Sequence, residues 1–277
     1  MRNDKYDSIG ERLKAYEAFE TTRKFIPLLP VYARIDGRGF SKFTKGMNRP
    51  YDERMSEAMV DTTKYLVEKT NARIGYVQSD EISLVWYSDR YDGEIFFNGK
   101  IQKMVSVLAA MATAKFTNAI LSSWDDDFRS YWERMPHFDC RVFQLPNQTE
   151  ATNTFLWREQ DATKNAISMA AHHYFSHKKL QGKNGAQMQE MLFEKGINFN
   201  DYPDFFKRGT FVRRCVVEVP KSAAMYEFER AKNPNAEPDT VVKRSVVKTI
   251  PMPKFSTVTN RNAVIFDGAE PETKVND

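Results

Sequence analysis

The order of periodic segments predicts an α+β fold, a ferredoxin-like, palm-type βαββαβ unit whose mainly antiparallel sheet carries helices on one face. Three observations predict it. Val31, Ala33 and Ile35 alternate with Tyr32 and Arg34 as a half-buried strand. Ile74 to Val77 and Ile82 to Trp86 read as strands on either side of a turn of hairpin length, Gln78-Ser79-Asp80-Glu81. Helical repeats separate these strands from one another and from a further strand at Arg141-Val142-Phe143.

Taken in order, residues 1 to 28 read as an amphipathic helix with Leu13, Tyr16, Phe19 and Thr22 at three-to-four spacing, stopped by Pro27 and Pro30. The first strand then ends at Asp36-Gly37-Arg38-Gly39 and so delivers a carboxylate into a glycine-loosened turn. From Tyr51 to Thr70 the residues Met55, Met59, Leu66 and Val67 share a helical face, with Pro50 ahead and Asp52 and Glu53 at the positive N-terminal end. The hairpin places Asp80 and Glu81 at a second turn. A helix from Lys100 to Leu121 aims Ile101, Met104, Val105, Leu108, Met111, Ala112 and Phe116 at the core. Helices from Glu150 to Phe175 and from Ala186 to Lys195 follow, joined through a turn at Gln181 to Gly185. Beyond Pro220, the prolines at 234, 238, 251, 253 and 271 predict extended segments that wrap the body or a tail that is partly mobile. The expected division is a catalytic core over 1–145, a helical, basic part of the same fold over 146–215, and an extension over 216–277.

The composition is that of a folded globular chain: of 277 residues 41% are hydrophobic and 13% aromatic, with charges of both signs interspersed, which excludes disordered, collagenous and coiled-coil classes. The most apolar run, Val105 to Ala114, is broken by Ser106 and Thr113 and predicts no membrane span, and the polar start predicts a cytoplasmic protein. Cys140 and Cys215 form no CxxC pair and read as reduced, structural thiols. The sequon Asn147-Gln148-Thr149 goes unused in the cytosol. Net charge is only +4, but between Ala162 and Cys215 nine Lys and Arg face four acids, so the positive excess is gathered in one stretch, as a nucleic-acid partner requires.

Asp36, Asp80 and Glu81 form the sharpest constellation. In a ferredoxin-like sheet the first strand lies beside the central hairpin, which brings carboxylates that are distant in sequence to one sheet edge. Clustered carboxylates repel unless a cation sits among them, and hard oxygen ligands suit magnesium. Acids are also common in turns for purely structural reasons. The stretch Gly37-Arg38-Gly39-Phe40-Ser41 allows close approach of a triphosphate to backbone amides, yet it has neither the third glycine of a dinucleotide fingerprint nor a P-loop. Lys100 and Lys103, one turn apart, suit phosphates or simply a solvated helix start. His172, His173 and His177 lack an HExxH context and read as structural or RNA-facing.

In combination these residues resemble the tRNA-histidine guanylyltransferase superfamily, the reverse, 3′-to-5′ nucleotide polymerases. The resemblance runs in family order through Arg34-Ile-Asp-Gly-Arg-Gly-Phe40, Gln78-Ser-Asp-Glu81, the Lys100 to Lys103 helix start and Phe138-Asp-Cys-Arg141. It continues through Trp157-Arg158 with Asp161 and Asn165, Gly196-Ile-Asn-Phe-Asn200, and Lys207-Arg-Gly-Thr210. It implies a palm in which Asp36 and Asp80, with the Gly37 carbonyl, bind two magnesium ions, supported by Glu81. It implies nucleotide contacts from Asp36 to Ser41, Ser79 and Asp80, with Lys100 and Lys103 on the triphosphates. Arg158, Lys164, Asn165, Lys183, Lys207 and Arg208 are the expected tRNA contacts, and the assembly a homotetramer. The implied chemistry activates a tRNA 5′-monophosphate with ATP and then adds GTP or another nucleotide. Where histidine-tRNA enzymes carry His-Ile-Asn-Asn, this chain has Thr163-Lys164-Asn165-Ala166. It is in this respect similar to the bacterial and archaeal branch, which implies template-dependent 5′-end repair. Dedicated histidine-tRNA maturation, a palm-type nucleotidyl cyclase and a non-catalytic RNA-binding protein are the alternatives.

Overall fold

The computed structural model describes residues 8–233, 235 and 241–274. Pro234, Pro238 and the first seven residues of the expected N-terminal helix lie outside them. Helix α1 (Ile9–Thr21) is shorter than expected, and Leu13, Tyr16 and Phe19 are exposed, so its apolar spacing faces no core. Strand β1 (Val31–Gly37) leads through the short helix α2 (Phe40–Phe43) to α3 (Glu53–Thr70), whose N-cap Asp52 accepts a hydrogen bond from the Arg54 amide. Strands β2 (Ile74–Gln78) and β3 (Glu81–Trp86) make the hairpin, followed by α4 (Ile101–Leu121), the short α5 (Asp126–Ser130) and β4 (Phe138–Gln144). The expected strand, helix, hairpin, helix, strand order is therefore present.

The second half starts with α6 (Gln148–Tyr174), continues through α7 (His177–Leu180), α8 (Gly185–Glu194) and α9 (Asp204–Arg208), and returns to the sheet as β5 (Thr210–Pro220). Helix α10 (Ala223–Lys232), β6 (Val241–Ile250) and α11 (Arg261–Phe266) complete it. All pairings are antiparallel in one six-stranded sheet of order β4-β1-β3-β2-β5-β6.

Two expectations change here. The segment after Pro220 forms an edge strand and core in addition to wrapping the body, and the boundary expected at 215/216 falls inside β5. The sheet also has helices on both faces. On one, α3 and α4 bury Met59, Leu66, Leu108 and Phe116 against Ala33 and Ile35. On the other, Phe155 of α6 and Val264 and Ile265 of α11 pack on Tyr32, Tyr76 and Phe211. Val212 serves the first face and Phe211 the second, because successive strand residues point to opposite sides. A third cluster joins the far half of α6 to α8 and α9 through Ala166, Ala170, Leu192 and Phe206.

Helix α4 is long and apolar enough, by length and composition, to cross a membrane, which the expectation from its most apolar run alone understates. Met104, Leu108, Ala112, Phe116 and Ile120 spend that apolarity on the sheet, where they are fully buried. Cys140 is buried, and burial pushes its thiol up to about 12, so it keeps its proton.

Candidate active site

Asp36, one residue from the end of β1, stands in register with Glu81 on β3 and Asp139 on β4. Strand alternation puts Tyr32, Arg34 and Asp36 on one face. Three rows therefore cross the sheet: Asp139, Asp36, Glu81 at its end, then Arg141, Arg34, Ser83, then Phe143, Tyr32, Val85. Acids alternate with guanidiniums from row to row. Arg34 lies 3.8 Å from Glu81 and Arg141 lies 3.8 Å from Asp139.

The hairpin delivers the remaining carboxylate. Gln78 pairs with Glu81, leaving Ser79 and Asp80 as a two-residue turn with Ser79 at φ 53, a left-handed conformation that a hairpin turn demands and serine tolerates poorly. The Gly37 amide donates to the Asp80 carbonyl at 3.0 Å, which stitches the two turns together. Asp80 is consequently pushed up to about 6, by burial first and by the nearby Asp36 carboxylate second. Asp36 is raised too, by burial and then by Asp139. Glu81 is held differently: Arg158 of α6 donates to both of its oxygens, at 2.6 and 2.7 Å, and reaches Asp161 at 3.2 Å. Burial still raises Glu81. Asp36 and Asp80 thus form a pair of crowded carboxylates, whereas Glu81 anchors a helix.

Around them, Arg38 and Ser41 are exposed, and the Arg38 amide donates to the His137 carbonyl at 2.8 Å. Gly39 adopts φ 68 at the start of α2. The Phe40 ring is buried, 5.0 Å from Phe138 and 4.8 Å from Phe43, so only its backbone faces the turn's surroundings. Gly37 is required by that ring, since a Cβ there would sit 2.4 Å from Phe40 Cδ2. In α2 the Lys42 and Phe43 amides donate to the Gly39 carbonyl, at 2.9 and 3.3 Å, which leaves the Phe40 and Ser41 amides without a backbone acceptor among the described residues. Beside this turn a cleft is lined by Thr44, Met47, Asn48, Ser79, Met169 and Phe206. A separate cavity between α3 and β5, lined by Glu53, Glu57, Asp61 and Asp204, includes none of the sheet-end carboxylates.

Other expected residues lie elsewhere. Lys100 pairs through its backbone with Lys24, and α4 begins at the end of the sheet where Val31 meets Trp86, about 17 Å along β1 from Asp36. Within one chain, Lys100 and Lys103 are therefore not brought to the carboxylates, because a helix that follows β3 starts at the opposite end. Of the expected tRNA contacts, Arg158 is engaged with Glu81, Lys207 bonds the Asn200 carbonyl and Asp204, and Arg208 bonds Asp204. Lys164, Asn165 and Lys183 are exposed. Among the described residues no group of three or more His, Cys, Asp and Glu is arranged to hold a metal ion by itself.

Sequence reasoning passed over Asp139, Arg34 and Arg141 as site residues. Their signal was present: in Arg34-Ile35-Asp36 and Asp139-Cys140-Arg141 the charges recur at the strand period, which places them on one face.

The paired carboxylates at a sheet end, beside a glycine-containing turn, define the chain as a nucleotidyltransferase once its relatives are considered. Residues 10–146 match the family described as Thg1, tRNAHis guanylyltransferase. A bacterial tRNA(His) guanylyltransferase (Thg1)-like protein in complex with ATP is 42% identical, over 74% of this chain and 88% of that one, with a TM-score of 0.69. A bacterial tRNA(His) guanylyltransferase (Thg1)-like protein in complex with GTP is 33% identical over 90% of this chain and 94% of its own, TM-score 0.67. The tRNA(His) guanylyltransferase of Kluyveromyces lactis is 28% identical over 219 residues, 73% of this chain and 89% of that protein. The chain belongs to the tRNAHis guanylyltransferase family.

Proposed function

We propose that this protein is a magnesium-dependent 3′-to-5′ nucleotidyltransferase that extends the 5′ end of tRNA, using ATP for activation and GTP or another nucleotide for addition, in template-dependent end repair. The observation that carries it is the Asp36–Asp80 pair, two partly desolvated carboxylates joined through the Gly37 amide to Asp80 carbonyl bond, both raised by burial, Asp80 further by Asp36 and Asp36 by Asp139. The sheet order supports a palm-type reading, because β4-β1-β3-β2 with its two connecting helices has the ferredoxin-like sequence of strands.

Two carboxylates and the Gly37 carbonyl are a hard-oxygen donor set that fits magnesium, which takes one or two carboxylates and completes its shell with water and substrate phosphates. Bound there, the two ions supply charge neutralisation for the phosphoryl groups. The chain's own residues orient the reactants. The Phe40 and Ser41 amides, with the exposed Arg38 side chain and Ser41 hydroxyl, cradle the triphosphate. The cleft at Met47, Asn48 and Phe206 receives its base. In the first step a 5′-phosphate oxygen of the tRNA attacks the α-phosphorus of ATP and pyrophosphate leaves. In the second, the 3′-hydroxyl of the incoming nucleotide attacks the activated phosphorus and AMP leaves. Both displacements need in-line positioning and charge stabilisation, with no protein nucleophile.

Thr163-Lys164-Asn165-Ala166 and the likeness to bacterial proteins favour repair. The curated relative's printed name favours maturation of histidine tRNA, and one assay separates the two. Purified protein with magnesium, ATP and GTP should extend a tRNA lacking its first nucleotide faster than it extends a histidine tRNA lacking its extra guanosine. The reverse preference establishes maturation, and no extension of either overturns the assignment. Homotetramer formation and a cytoplasmic location complete the proposal, the first read out by sedimentation.

A further inference from the structure

Strand β2 begins at Ile74, opposite Val85 and Arg213, while its neighbours β3 and β5 run on past it. The notch this leaves in the sheet opens into a cavity of about 690 Å³, a volume suited to a small ligand. Trp86 on its wall ends β3 and stands about 17 Å along that strand from Glu81, so the cavity lies at the end of the sheet opposite the crowded carboxylates.

The walls bring together Lys69 from the end of α3, Arg73 from the turn before β2, and Arg213 and Arg214 from β5, against Glu94 and Asp267. Of these cations only Arg213 meets a carboxylate, that of Glu270. Among the described residues, Lys69, Arg73 and Arg214 have no carboxylate within ion-pair distance. Both arginines are nevertheless fixed in place. Arg73 donates from Nε and Nη2 to the Tyr87 carbonyl, at 3.1 and 3.0 Å. Arg214 donates from Nη2 to the Glu68 carbonyl at 3.0 Å and from Nη1 to Ser245 Oγ at 3.2 Å. Neutral oxygens position a guanidinium without cancelling its charge, and among the described residues the Nη1 donors of Arg73 are left without an acceptor. Elsewhere Arg54, Arg90 and Arg158 are held by carboxylates instead. An anion entering the cavity therefore meets charges that are already ordered, in the planar fork geometry that matches phosphate oxygens. Tyr87, Ile95 and Phe96, all half-buried, give the same cavity an apolar wall.

We propose that this cavity is a second anion site, which binds a polyphosphate through Arg73, Arg214 and Lys69. A nucleoside triphosphate and free pyrophosphate share that chemistry, and the apolar wall favours the nucleotide, whose base it covers. The occupant lies too far from Asp36 and Asp80 of the same chain to react there, so the site is separate from the catalytic one.

The test removes the catalytic site from the measurement. Full-length Asp36→Asn/Asp80→Asn protein, kept in a chelator and without RNA, is titrated calorimetrically with ATP, pyrophosphate and sulfate, so the outcome is independent of the reaction proposed above. ATP and pyrophosphate are each expected to bind one per chain and to compete. Adding Arg73→Gln/Arg214→Gln should weaken both by at least about tenfold, the loss of two charge-assisted contacts. Lys69→Gln, at an exposed side chain with no partner among the described residues, should cost about threefold and leave thermal melting unchanged, which decides the matter if the arginine variant melts early. Lys178→Gln/Lys179→Gln removes the same charge from another surface and should change nothing. ATP bound more tightly than pyrophosphate identifies the nucleotide as ligand, and equal affinities identify the polyphosphate alone. No binding by the parent protein, equal binding after Arg73→Gln/Arg214→Gln, a matching loss in the Lys178 and Lys179 variant, or sulfate competing as well as pyrophosphate would each overturn the proposal.

Discussion

At the residue scale the site is built on conflict. A carboxylate raised above its ordinary range is one the fold would hold protonated, so Asp80 opposes folding when it is charged. The sign follows from linkage: its stabilising contribution is fully present below the usual carboxylate value of 3.8 and is lost as pH rises through about 6. The metal-free protein is therefore expected to be less stable, and to melt at lower temperature, at pH 7 than at pH 5, by about 1 kcal/mol out of the roughly 3 kcal/mol lost over the whole range. Asp80→Asn should flatten that slope, raise the melting temperature at pH 7 and abolish nucleotide addition. Magnesium should raise the wild-type melting temperature and leave the Asn variant unchanged; an Asn variant that is less stable than wild type at pH 7 refutes the crowding. Removing an exposed turn acid costs a fold little. The half-buried setting of Asp36 and Asp80 at the sheet end makes the expectation stronger, a gain in stability at the expense of function.

At the scale of elements, the Arg158–Glu81 pair ties α6 to β3 and sets the angle at which the second half leaves the sheet. Removing one partner leaves the other buried without its counter-charge. Arg158→Ala should cost about 3 kcal/mol in chemical denaturation, and Glu81→Gln/Arg158→Met should recover much of it. If Arg158→Ala melts like the wild type but binds tRNA poorly, the arginine is an RNA contact and the tie is secondary. Motif spacing marks Trp157-Arg158 as important and says nothing of the role, because a salt bridge 77 residues apart in sequence has no periodic signature. The βαββαβ order, in contrast, is legible: Met55, Met59, Leu66 and Val67 at helical spacing and Val31, Ala33 and Ile35 at strand spacing are all buried where those periods place them. The N-terminal helix carries the same periodicity without burial. Its Leu13, Tyr16 and Phe19 have the same spacing and no core to meet.

At the scale of the whole molecule, the C-terminal segment is part of the fold. Phe255 and Ile265 lie in the core of the second face, the Phe255 amide donates to both oxygens of the buried Glu159, and Arg213 is capped by the Ala269 carbonyl. A chain ending after Met252 would expose that core and strand Glu159, and is expected to be insoluble or to unfold at least about 4 kcal/mol sooner than the full chain, by denaturant midpoint. Soluble, active truncated protein would make the segment an accessory. The alternating Cys215, Val217 and Val219 of β5 held a strand signal, but the charged residues beside them mask it, and β6, with its lysines and arginine, is not read as a strand without a partner. The local periods, the two acid-bearing turns, the gathered positive charge and the family resemblance are all legible before any folding, since each is a property of neighbouring residues or their order. Only the tertiary structure decided which charges remain free. Packing crowds Asp36 with Asp80 and Asp139, neutralises Glu81 with Arg158 and Asp204 with Lys207 and Arg208, sends Lys100 to the opposite end and, among the described residues, leaves the lysines of α7 without an ion-pair partner, because a charge's partner is set by which chain segments pack together in space.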